Sequence, residues 1–183
     1  SGGHNTSYGG NVYMTGGRLV RCQILNGNTS SGGSNQEDSW GSGIYALGTA
    51  VVENCLIKGN GLAKPGCAYG GGVCVDGSAS VVNCTIVGNA VNANAKGGGV
   101  YVRSSTSKVV NCVIFDNGDT PEMEFGDVNL GCYSYCASSV DNEESETWQV
   151  IDESAFKDWS RREEDLKFLV PRTGKPLGGT GTD

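Results

Sequence analysis

Five residues before a recurrent strand position held by Tyr13, Tyr45, Cys74 and Tyr101 stand Tyr8, Trp40, Tyr69 and Lys96, three of them aromatic. Rings at a fixed place in a repeated unit present flat apolar faces, and sugar rings stack on such faces. The loop ahead of Trp40, residues 28–39, is the longest and is rich in Ser, Gly, Asn and Gln; the loop before Lys96 carries Asn92 and Asn94. Amides and hydroxyls beside a ring suit a hydroxyl-rich ligand. Tyr8, Trp40, Tyr69 and Lys96 are therefore the candidate binding residues. The simpler alternative is that the rings only pack on one another and shield glycine backbone. Tyr13, Tyr45 and Tyr101 lie within or beside a strand, where a wall or core role is expected.

Groups for covalent chemistry are sparse. Glycoside hydrolysis wants two carboxyl groups facing one cleft, whereas Glu37, Asp38, Glu53, Asp76 and Asp116 are scattered over different units of the repeat. A lyase would want a base beside a sugar carboxylate held by calcium or arginine, and Arg103 and Lys108 have no acidic cluster in the sequence around them. The single histidine, His4, sits in the amino-terminal segment, where an idle solvated role is expected. For calcium the best local group of oxygen ligands is Asp116-Asn117-Gly118-Asp119, which reads more simply as an Asx-rich turn. With no CxxC pair and one histidine, a zinc site is not expected. The chain reads as non-catalytic and without a cofactor.

The elements that must position these residues come from a repeat. The phrase Val-x-Asn-Cys-x-Ile recurs around Cys22, Cys55, Cys84 and Cys112, at intervals of 33, 29 and 28 residues, with Ile24, Ile57, Ile86 and Ile114 two places later. Such self-similarity signals a solenoid. Thirty glycines and a 37% hydrophobic content favour short strands and tight turns over helices. In the third copy, Val73-Cys74-Val75 gives one strand and residues 81–87 another. Val81 lies three residues before Cys84, so both face inward only if the chain bends between them. Asn83 tolerates the left-handed backbone that this requires. Asn54 and Asn111 occupy equivalent places, with Arg21 as the exception. Stacked units would align the four cysteines in one interior column and the four isoleucines in the next, about 4.8 Å apart along the axis.

This predicts an all-β, right-handed parallel β-helix of about five to six coils over residues 1–140, closed by an acidic capping segment of the same domain over 141–183. Phe156, Trp159, Leu166 and Phe168 would anchor that cap. Residues 1–118 carry 7 Lys or Arg against 5 Asp or Glu, a balance of +2, and the remainder 6 against 15, a balance of −9, which sum to −7. No basic stripe for nucleic acid is present, and no stretch has the length of a membrane span. The chain lacks an initiator Met, and a module excised from a longer protein is expected. Of the eight cysteines, the four in the column read as free buried thiols. Cys67, Cys74, Cys132 and Cys136 lie outside it, and pairs Cys132–Cys136 and Cys67–Cys74 are left open.

The words GGGVYV, VVNCTIVGN and VVNCVIFDN resemble the right-handed parallel β-helix repeats of bacterial secreted and surface proteins, a superfamily of pectin lyases, adhesins and carbohydrate-binding modules. The resemblance covers residues 8–118. Phe156-Lys157-Asp158 and residues 165–169 are loosely similar to the segment that closes such repeats. The chain looks most like the small β-helix carbohydrate-binding modules attached to xylan-degrading enzymes of gut bacteria. That resemblance implies a secreted or cell-surface protein binding a plant cell-wall β-glycan, xylan first, with a covalently linked catalytic domain as partner. The alternatives are a segment of a longer surface adhesin or, less well supported, a fragment of a polysaccharide lyase or hydrolase.

Overall fold

Strands of two or three residues hold no shape alone, so the chain must wind until each finds a copy of itself above and below. The computed structural model describes residues 6–29, 38–61, 67–89, 96–118, 132–138 and 149–151. The first turn contains β1 (Ser7–Tyr8), β2 (Val12–Met14), β3 (Arg18–Val20) and β4 (Gln23–Leu25). The second contains β5 (Asp38–Trp40), β6 (Ile44–Ala46), β7 (Val51–Glu53) and β8 (Leu56–Lys58). The third contains β9 (Cys67–Tyr69), β10 (Val73–Val75), β11 (Ser80–Val82) and β12 (Thr85–Val87). After these come β13 (Val100–Val102), β14 (Lys108–Val110), β15 (Val113–Phe115), β16 (Tyr133–Ser134), β17 (Ala137–Ser138) and β18 (Gln149–Val150).

Every pairing is parallel, and the strands form four sheets: β1-β5-β9, β2-β6-β10-β13, β3-β7-β11-β14-β16 and β4-β8-β12-β15-β17-β18. The fold is an all-β parallel solenoid, as the repeat predicts. About three turns are complete, fewer than the five to six expected. Among the described residues the fourth has a bridge at Lys96 on its first side, and later windings contribute strands of two residues. Gln149–Val150, inside the segment assigned to the cap, continues the last sheet beside Ala137–Ser138. Phe156, Trp159, Leu166 and Phe168 lie outside the described residues.

The interior is a stack of columns. Ile44, Val73 and Val100 pair in register, as do Val52, Val81 and Val109, and Ile57, Ile86 and Ile114, all buried. Cys55, Cys84 and Cys112 are buried among them. The bend that brings Val81 and Cys84 to the same side is present: φ is 53° at Asn83, 54° at Asn54 and Asn111, and 57° at Arg21.

One correction and one open pairing concern the cysteines. Cys136 belongs to the column: Tyr135 bends at φ 54° before it, and its Sγ reaches the Val109 carbonyl as Cys112 Sγ reaches that of Val81. The word Tyr-Cys-Ala-Ser hides the fifth copy because only the bend and the thiol survive. Cys132 faces the Ser104 and Ser105 carbonyls instead, so the two thiols are not joined, and Cys74 is likewise free.

A second buried column is polar. Asn60, Asn89 and Asn117 stack with each amide nitrogen 2.9 Å from a carbonyl of the preceding turn, those of Ile24, Ile57 and Ile86. Asn60 and Asn89 also donate 2.9 Å bonds to the next Asn Oδ1. The ladder explains the third glycine of each Gly-Gly-Gly turn. A Cβ on Gly72 would stand 2.5 Å from the Gly99 carbonyl oxygen and 3.0 Å from Asn89 Nδ2. Gly72→Ala should therefore lower the melting temperature by roughly 4–12 °C, for a loss of about 2–3 kcal/mol. An unchanged melt measured by circular dichroism would refute that packing.

Candidate functional site

The candidate residues come into one column. Tyr8 pairs with Trp40, Trp40 with Tyr69, and Tyr69 bridges to Lys96. Backbone bonds lock the register: the Gly9, Gly41 and Gly70 amides donate to the Trp40, Tyr69 and Lys96 carbonyls at 2.9, 2.8 and 3.0 Å. Alternation in β5 turns Ser39 inward and Trp40 outward. Each column residue is followed by a glycine in the left-handed region, φ 60–74° at Gly9, Gly41, Gly70 and Gly97. That corner folds the outer face of the first sheet toward the outer face of the second.

The consequence is two ring clusters rather than one evenly spaced platform. Tyr8 packs on Tyr13 and Tyr45, with centroids 6.0 and 5.0 Å apart, and Tyr13 stacks on Tyr45 at 5.6 Å. Trp40 stacks on Tyr69 at 4.1 Å with 13° between planes, and both lean on Tyr101 at 5.9 and 5.0 Å. Tyr45, Cys74 and Tyr101 are buried beneath, which fits the wall role expected of the second column; Tyr13, at its end, is 53% exposed. Tyr8 is 45% exposed, and Trp40 and Tyr69 are half-buried.

A polar group outside the four candidate binding residues completes the face. Arg103 lies over the Trp40 ring at 4.6 Å and donates from Nη1 to Asp76 Oδ2 at 3.0 Å and to the Tyr45 hydroxyl at 3.3 Å. Tyr45 donates to the same carboxylate oxygen at 2.9 Å. Burial and the Asp76 carboxylate push the Tyr45 phenol well above its ordinary range, so it remains a donor. The signal in the sequence was alignment: Asp76 and Arg103 each stand two residues after the Cys74 and Tyr101 position.

The other chemical candidates separate. Asp38, Glu53, Asp76 and Asp116 are distributed around the solenoid in the first sheet, the third sheet, the turn after the second and the turn after the fourth. Glu53 is paired with Arg18, and Asp76 with Arg103. Asn117, within the calcium candidate, has its amide committed to the ladder, and the turn there is the bend at Asp116, φ 54°. Asp119, His4 and Glu37 lie outside the described residues. Among the described residues no metal-ligating cluster forms, and no helix is long and apolar enough to cross a membrane.

The cysteine column serves the bends. The Cys22 and Cys55 amides, turned out of the strand ladder, each donate to the thiol of the next turn at 3.4 Å. The Cys84 thiol and burial push the Cys55 thiol up; burial, then the thiols of Cys136 and Cys84, push Cys112 up. Burial does the same at Cys74. Hydrogen bonds with neighbouring thiols pull Cys84 and Cys136 the other way, down, so burial is what protects the column: iodoacetamide at mildly alkaline pH should leave Cys55, Cys74, Cys84, Cys112 and Cys136 unmodified in the native protein and label them after denaturation. Peptide mapping that finds any of the five alkylated in the native state would contradict the packing.

No family model, curated protein or solved structure matches the chain. The architecture shown is that of a parallel β-solenoid.

Proposed function

We propose that the protein is a non-catalytic glycan-binding β-solenoid, with an extended plant cell-wall β-glycan such as xylan as ligand. The observation that carries this reading is the column Tyr8, Trp40, Tyr69 and Lys96, in register on the outer face with its rings partly open to solvent. The backbone of the column repeats at about 4.8 Å, and its rings divide between a Tyr8 cluster and a Trp40–Tyr69 stack. The Arg103 guanidinium over the Trp40 ring supplies a donor for sugar hydroxyls; the polar loop residues 30–37, Asn92 and Asn94 lie outside the described residues. Among the described residues the carboxylates are separated around the solenoid, with Glu53 and Asp76 paired to arginines, which argues against acid–base hydrolysis there. A secreted or surface setting, with a linked catalytic domain, belongs to the same proposal.

One observation favours a second reading, a structural segment of a longer surface solenoid. The rings pack on one another, and Trp40 already carries Tyr69 and Arg103 on its ring. Affinity electrophoresis in gels containing xylan separates the two. The glycan reading expects retarded migration of the parent and a loss of about 1–3 kcal/mol of binding in Trp40→Ala with the fold retained by circular dichroism. Migration of the parent unaffected by xylan and other β-glycans would leave the rings as packing. Reducing-end and unsaturated-product assays on xylan and pectin should stay at background; released product would restore the enzyme alternative.

A further inference from the structure

Arg103 reaches back across two turns, and its placement is more specific than a surface cation requires. Among the described residues its bonds run through a single nitrogen, Nη1, to Asp76 and Tyr45. The groups that pin it lie deeper than it does: the Asp76 side chain is 17% exposed and that of Arg103 46%. Asp76 is itself fixed, its Oδ1 accepting from the Gly77 amide at 2.7 Å and its Oδ2 from Tyr45. The guanidinium plane is held against Trp40 as well. An arginine braced through Nη1 keeps Nε and Nη2 for another partner, and those two N–H groups lie side by side in the spacing of a carboxylate. The rotamer freedom such a side chain normally loses on binding is already lost in the fold.

We propose that Arg103 is the carboxylate-reading group of this face, so that the preferred ligands are glycans bearing uronic acids, with the carboxylate on Nε and Nη2 and the sugar beside the Trp40–Tyr69 stack that braces the guanidinium. The proposal rests on the glycan reading above and narrows it. Lys96, the next rung beyond Tyr69, places a second cation on the same column. Asp38 shares the outer face of β5 with Trp40, at the far end of that strand. Fork geometry at Arg103, rather than net charge of the face, therefore makes the selection.

The test compares glucuronoxylan with the same polymer after chemical reduction of its carboxyl groups, in affinity gels, using the parent, Arg103→Lys and Trp40→Ala. The parent should bind the carboxylated polymer roughly tenfold more tightly than the reduced one. Arg103→Lys, which keeps the charge and loses the fork, should bind both equally, at the parent's strength for the reduced polymer. Trp40→Ala should weaken both. Equal binding of the two polymers by the parent overturns the inference while leaving the glycan reading intact, and so does a preference undiminished in Arg103→Lys. Failure of the parent to bind either polymer overturns both. The parent comparison requires no substitution, so it decides the matter even if the Arg103 variant unfolds.

Discussion

Ile86→Asp is expected to leave a chain without a cooperative melt or a β-sheet circular dichroism signal. Ile86 is fully buried and pairs in register with Ile57 below and Ile114 above. The substitution removes roughly 1.5–3 kcal/mol of burial and places an unpaired carboxylate in the column at a further cost of several kcal/mol. A solenoid is held by nearest-neighbour interfaces, so a defect in the third turn separates the windings on either side of it. Total stability of a domain is about 5–15 kcal/mol, comparable with that combined loss. A folded Ile86→Asp protein would mean that position 86 faces outward and that the register of the fourth sheet is wrong.

The second large effect is a coupled one. In the later turns a glycine faces a ladder asparagine: Gly43 with Asn60, Gly72 with Asn89, Gly99 with Asn117. The first turn exchanges the two. Asn11 stands where the others have the third glycine, Gly27 stands where they have the ladder asparagine, and Asn11 Nδ2 fills the space with bonds to the Leu25 carbonyl at 3.0 Å and to Asn60 Oδ1 at 3.3 Å. A Cβ on Gly27 would sit 2.7 Å from that amide. Asn89→Gly alone strips the partners from the Ile57 carbonyl and the Asn60 amide, each worth about 1–3 kcal/mol when buried and unsatisfied. Adding Gly72→Asn recreates the first-turn arrangement in the third. Urea unfolding of the two single variants and the double should show the double losing at least 1 kcal/mol less than the sum of the singles. Simple additivity would show that the two positions do not share one space.

Much of the fold was legible because its constraints are local and repeated. The odd spacing of Val81 and Cys84 required a bend, asparagine was the residue able to make it, and Asn83 makes it. The alignment of Tyr8, Trp40, Tyr69 and Lys96 followed from counting back from each strand, and the register agrees. What escaped depends on direction and reach. Spacing says that Tyr8 and Trp40 are neighbours, but the left-handed glycine between the first two sheets sends the Tyr8 ring to Tyr13 and Tyr45 and the Trp40 ring to Tyr69. Arg103 was weighed only against residues near it in sequence, whereas its partners Asp76 and Tyr45 lie 27 and 58 positions away. Cys136 escaped because the later copies keep the geometry of the bend after losing the words that mark it; the count of complete turns is lower than expected because those later windings are short, with β16, β17 and β18 of two residues each.

The outer aromatic column as a glycan surface is tested most directly at one atom pair, the Trp40 indole N–H, observed by nitrogen-correlated NMR and assigned by its disappearance in Trp40→Phe. Titration with a xylo-oligosaccharide is expected to move that resonance progressively to a saturated position while the amide of Ile86, inside the solenoid, stays in place. A Trp40 signal unmoved up to the solubility limit of the oligosaccharide would contradict the account.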